Sequence, residues 1–178
     1  NNDEVLTAAT VYGKPSDNVD LLAYYGKRDT ESGEDGEGRE LFEDSKAENI
    51  LLKAGASFAD DHRIGASFSR TEKKGIFPFR PDFPRPNFPS RPQSPIPQQV
   101  KRDTYNIDYG FNPASPLIDV SANVYQTKTQ ILRDSDDKAG YEWDAEVQTT
   151  GAKVENTSEI DSSFGSHKLI AGVEHYKK

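Results

Sequence analysis

Apolar and polar residues alternate with period two through most of this chain, which is the pattern of a half-buried β-strand. Leu52, Ala54, Ala56 and Phe58 share one face of segment 50–58, against Leu51, Lys53, Gly55 and Ser57. Ile64, Ala66 and Phe68 oppose Gly65, Ser67 and Ser69 in 63–70. Tyr105, Ile107, Tyr109 and Phe111 oppose Asn106, Asp108 and Gly110, and Ile118, Val120, Ala122 and Val124 oppose Asp119, Ser121, Asn123 and Tyr125. Segment 19–26 sets Val19, Leu21, Ala23 and Tyr25 against Asp20, Leu22, Tyr24 and Gly26. Weaker strands fit 4–13, 143–156 and 167–176. The expectation is all-β: about eight antiparallel strands and no helix.

The connections alternate in length. Short turns fall at Ser16–Asn18, Ala59–His62, Asn112–Pro116 and Ser162–Ser166, and long connections at 29–48, 72–99 and 133–141. Tight turns at one rim and long loops at the other predict an up-and-down transmembrane barrel, with residues 1–178 as one β-barrel segment. The small and charged face suits a wet lumen, and the Ala, Val, Ile, Leu, Phe and Tyr face suits lipid. Tyr12, Tyr25, Tyr105, Tyr109, Trp143 and Tyr176 are expected to supply interfacial girdles. The alternative is a soluble or engineered eight-stranded barrel, a binding module or scaffold, with the same apolar residues turned inward. Strand parity puts both ends of the chain at the long-loop rim, which predicts a segment of a larger barrel.

Composition narrows the function classes. Hydrophobic residues make up 33% of the 178, and the mean hydropathy is −0.83, low for a soluble core. A net charge of −8 with scattered Lys and Arg argues against a general nucleic-acid binder. The absence of cysteine excludes disulfides, thiolate metal sites and cysteine nucleophiles. No signal peptide is recognisable at the N-terminus.

Binding is expected in the long loops. Between Gly75 and Gln99 runs IFPFRPDFPRPNFPSRPQSPIPQQ, where prolines interleave with Phe77, Phe79, Phe83, Phe88, Arg80, Arg85 and Arg91. Proline lacks the N–H that helices and central strands need, so this run is expected to be a stiff loop. Proline at every third residue favours polyproline II, and Phe and Arg are typical contact anchors. Phe77, Phe79, Arg80, Phe83, Arg85, Phe88 and Arg91 are therefore the ligand-contact candidates. The acidic connection 29–48 (Asp29, Glu31, Glu34, Asp35, Glu37, Glu40, Glu43, Asp44) and the Asp134–Asp137 run match no defined cation loop. His62, His167 and His175 fall too far apart for a shared metal or catalytic site. No nucleophile–base set stands at suggestive spacing, so no catalytic residue, metal or bound cofactor is expected, and no enzyme.

Four stretches resemble the barrel of TonB-dependent outer-membrane receptors of the haem and iron uptake type. They are GKPSDNVDLLAYYGKRD, NILLKAGASFADDHRIGASFSR, RDTYNIDYGFNPASPLIDVSANVYQTKTQI and TTGAKVENTSEI with SHKLIAGVEHY. Together they cover nearly the whole chain in the family's hairpin order. The family's plug, its aromatic-terminated last strand and its histidine-bearing loop are not recognisable, and about eight strands fall short of the roughly 22 of a full transporter. The resemblance implies a bacterial outer-membrane location and capture of haem or another iron source by extracellular loops. It implies outer-membrane lipid, a host iron or haem protein, a plug and the TonB system as partners, with haem as transported ligand rather than cofactor.

Overall fold

A computed structural model of the chain describes residues 3–38, 40–41, 44–78, 95–133 and 143–178. Ten strands form in order: β1 Glu4–Ser16, β2 Val19–Thr30, β3 Gly33–Glu34, β4 Glu40–Leu41, β5 Ser45–Phe58, β6 His62–Pro78, β7 Pro95–Ser115, β8 Ile118–Arg133, β9 Trp143–Ser162 and β10 Gly165–Lys177. Eight make one antiparallel sheet in the order β1-β2-β5-β6-β7-β8-β9-β10, while β3 and β4 pair separately in the acidic connection. The sequence order is the spatial order, so every link is a hairpin or a loop at one rim. The short turns link β1–β2, β5–β6, β7–β8 and β9–β10, and the long connections all leave the opposite rim.

The sheet is open. Among the described residues β1 and β10 form no ladder with each other, so the closed eight-stranded alternative is not what this chain builds. Nor do the described residues form a second layer over it. Ile96 is the one buried apolar residue among those described. Leu21, Leu52, Phe58, Ile64, Ile107, Val124 and Val154 are all exposed on one face. Cohesion therefore comes from the backbone ladder and from cross-strand pairs.

The register sorts the two faces as the alternation predicts. Leu21, Ala54, Ala66, Ile107, Val124 and Ala152 align across six strands on the apolar face. One residue away, Asp20, Gly55, Gly65, Asp108, Asn123 and Lys153 align on the polar face. Glycine on the polar face makes room for long neighbours. A Cβ on Gly55 would collide with Arg63 and Asp20, one on Gly65 with Asp108, and one on Gly151 with Tyr125.

The strands outrun the alternating segments. The segment read as 63–70 is His62–Pro78, and 105–111 is Pro95–Ser115. At about 3.3 Å per residue the 21 residues of β7 reach about 70 Å, far more than a hydrocarbon layer of about 30 Å requires. The excess lies on the long-loop side, where both faces turn polar and the apolar signal fades. Part of the connections 29–48 and 72–99 is thus ladder rather than loop.

The proline run itself enters the sheet at both ends, with Ile76 opposite Pro97 and Pro78 opposite Pro95. The geometry explains why this is tolerated. The Ile76 N–H donates to the Asp44 carbonyl at 3.1 Å, away from β7. Ile76 and Pro97 are therefore a non-hydrogen-bonded pair, and the donor that Pro97 lacks would point toward β8. Among the described residues the β8 ladder begins at Gln98–Arg133, one residue short of Pro97. Pro97→Ala should leave stability nearly unchanged, whereas Ile76→Pro should cost about 1–3 kcal/mol through the orphaned Asp44 carbonyl. Urea midpoints of the two variants check this; equal losses would refute the assigned register.

Candidate functional site

Four short turns hold the rim opposite the long loops. In the β5–β6 turn Ala59 and Asp60 both take positive φ, 48° and 56°, which reverses the chain tightly enough to pair Phe58 with His62. His62 then stacks between Phe58 (centroids 5.2 Å) and Phe111 (4.7 Å), and its Nδ1 lies 2.7 Å from the Tyr109 hydroxyl. Phe68 and Tyr105 form a second aromatic pair, 5.0 Å apart, six residues along β6 and β7. These groups and Tyr25 bound the apolar face. Tyr12 and Tyr176, expected in the girdles, instead pair with Leu22 and Gly151 and so sit on the polar face. Phe58, His62, Phe68 and Phe111 stand on the apolar face.

Just beyond Phe68 the same face turns ionic. Arg70 grips Asp103 through two bonds, Nε to Oδ1 at 2.7 Å and Nη2 to Oδ2 at 2.9 Å. Its guanidinium also lies 5.6 Å from the Phe68 ring centre. Asp103 is 9% exposed. Further pairs extend the ionic zone: Lys27–Asp29 at 3.0 Å, Lys74–Glu72 at 2.6 Å and Lys128–Glu146 at 2.9 Å.

The polar face carries its own network. Arg63 donates to Asp20 at 2.6 Å, Asn106 to Asp108 at 2.9 Å and Tyr125 to Glu174 at 3.1 Å, and Lys153 pairs with Glu155 at 2.5 Å. Each of these four carboxylates bonds a base, an amide or a phenol hydroxyl. Among the described residues no three His, Asp or Glu side chains converge as metal ligands would. His62 and His167 lie four strands apart, about 19 Å, and His167 bonds Ser162 Oγ at 2.9 Å.

Of the contact candidates, Phe77 lies at the long-loop end of β6. Its ring lies against Gly75, 4.8 Å from Lys73 Nζ, and its partner across the ladder is the buried Ile96. Gln98 donates to the Phe77 carbonyl at 3.1 Å. Phe79, Arg80, Phe83, Arg85, Phe88 and Arg91 lie outside the described residues, as does the Asp134–Asp137 run. Sequence reasoning did not single out Lys73, Arg102 or Arg28, which share the polar face with Phe77. Lys73 falls in the connection read as 72–99, and Arg28 and Arg102 lie just outside the alternating segments 19–26 and 105–111, where parity was not followed.

The Asp103 carboxyl is held below the usual carboxylate range, chiefly by the Arg70 hydrogen bonds and also by the nearby charges of Arg70, Lys101 and Lys128, against an opposing cost of burial. A lowered folded pKa stabilises the fold above the unfolded value, about 3.9, and the contribution is lost as pH falls through the folded value. Asp103→Asn should therefore lower the urea midpoint at pH 7, with the gap to the parent narrowing as pH drops below about 4. A pH-independent gap would mean that the ion pair is not its source.

No family model matches the sequence, and no curated protein matches it. Solved structures do resemble the fold. The FrpB iron transporter from Neisseria meningitidis, F3-3 variant, superposes with a TM-score of 0.75 at 23% identity over 98% of this chain and 29% of the transporter. The F5-1 variant gives a TM-score of 0.76 at 22% identity over 98% and 30%. The chain thus spans about three tenths of the transporters' length and has the fold of one portion of their barrel.

Proposed function

We propose that this sheet is part of the wall of a bacterial outer-membrane receptor that takes up an iron source, with haem among the compounds it could carry. The observation that carries the reading is the slant of the apolar belt. On β2 the belt ends at Tyr25, whose ladder row continues through Ile50 into Arg70, Asp103 and Lys128. On β10 it ends at Val173, in the row of Val19 and Ile64. The upper edge therefore slips six residues, about 20 Å, across six strand spacings, about 29 Å. That is a tilt of about 35°, at the lower end of the 35–45° of transmembrane barrel strands. A flat lipid slab crossing tilted strands leaves this diagonal in the register. The exposed apolar faces, the aromatic borders and the lack of a second layer support the same placement.

In this reading the polar face lines the lumen, the four short turns face the periplasm, and the long connections reach outside the cell. Phe77, Phe79, Arg80, Phe83, Arg85, Phe88 and Arg91 present the ligand contacts, and a plug and the TonB system act in the intact receptor. Replacing Arg80, Arg85 and Arg91 together by Ala should weaken ligand capture in the receptor while barrel assembly stays intact.

Far-UV circular dichroism and size-exclusion chromatography, with and without detergent micelles, test the placement. A β spectrum and a monodisperse peak only in detergent are expected; a monomeric, β-rich, cooperatively melting protein in plain buffer would overturn it. Val124→Arg on the belt should cost about 2–4 kcal/mol of folding in bilayers, while Asn123→Arg on the opposite face should cost little.

A further inference from the structure

Charge is distributed unequally between the two faces at the long-loop end. On the apolar-face parity, cations and carboxylates are interleaved: Lys27, Lys46, Lys74 and Lys101 stand among Asp29, Glu48, Glu72 and Glu146. The polar-face rows at the same height hold Arg28, Lys73 and Arg102, with Glu4 as their one carboxylate among the described residues. Glu4 is taken up by Arg28 at 3.4 Å. Arg102 donates Nε to the neutral Thr129 hydroxyl at 3.2 Å, and Lys73 rests near the Phe77 ring. Neither has a carboxylate partner among the described residues, and both are exposed. Lower on the same face the balance reverses, where Asp20, Asp108, Glu155 and Glu174 outnumber the bases. In a chain of net charge −8, a basic patch confined to one face and one rim is a segregated site rather than a general trend.

We propose that this patch is a carboxylate-binding site for the iron compound itself, a reading that rests on the polar face being the lumen side. Lys73 and Arg102 are diagonal neighbours about 7–8 Å apart. Arg28 stands about 10 Å from Lys73 along the rungs. That spacing suits a ligand with two or more separated carboxylates. Arg102 offers a planar fork and Lys73 a mobile point charge. Phe77 beside Lys73 adds a flat apolar surface. The shared chemistry fits two sources, the propionates of haem or a ferric hydroxycarboxylate chelate. The acidic wall below would then repel an anion that moved on, keeping it at the mouth.

The test is calorimetric titration of the protein in detergent micelles with ferric citrate and, separately, with haem, at low and high salt. Lys73→Gln with Arg102→Gln should weaken binding of at least one of the two by about tenfold or more, and affinity in the parent should fall with salt. Lys74→Gln with Lys101→Gln, on the other face, serves as the control and should change it less than about twofold. A haem-only or citrate-only loss identifies the source, and either supports the site. No binding of either ligand by a parent that is β-rich in micelles overturns the site while leaving the membrane reading standing, as does an equal loss in both double variants. A chain that stays unfolded in micelles fails the membrane reading and this site with it.

Discussion

The interstrand backbone ladder, with the side-chain pairs laid across it, holds this molecule together. A single layer has no interior to fill, and the side chains that would make a core in a soluble protein stand exposed along one face. Every structural property then follows from register. Shifting one strand by one residue would turn Leu52, Ala54 and Phe58 onto the side of Arg63 and Asp108 and put charge against the belt. The tight turns guard against that slip. Consecutive positive-φ residues at 59–60 set the Phe58–His62 closure. The irregularity between Phe111 and Ser115 absorbs extra length in β7 before Ile118 begins the return.

The two faces then divide the chemistry. The belt ends on β6 and β7 where Arg70 and Asp103 form a two-pronged ion pair. On the other face, glycines at Gly55, Gly65 and Gly151 let arginine, aspartate and tyrosine lie flat across neighbouring strands. The wall can therefore stay thin while its polar side remains hydrogen-bonded.

Much of this was legible in the sequence where one face is apolar. Alternation through 50–58, 63–70, 105–111 and 117–125 assigns both strand and face correctly, and the sorting of short and long connections predicts the hairpin order. Legibility ended where both faces become polar. Beyond Phe68 and before Tyr105 the period-two signal loses its contrast, so the ladder through Pro78 and from Pro95 read as loop. The same blindness hid the polar-face cations Lys73 and Arg102, whose shared side depends on register. Proline was over-read as a breaker, since what decides its fate is whether the missing donor faces a neighbouring strand. Girdle aromatics were misjudged where composition outran parity, as at Tyr12 and Tyr176.

The Pro78–Pro95 rung has a consequence for how this surface can change over generations. By the parity of Ile76 and Pro97 this rung too is a non-hydrogen-bonded pair, so its two missing donors cost the β6–β7 ladder nothing. A sheet whose register is set by the bonds below this rung does not depend on the length or composition of the sequence between its two prolines.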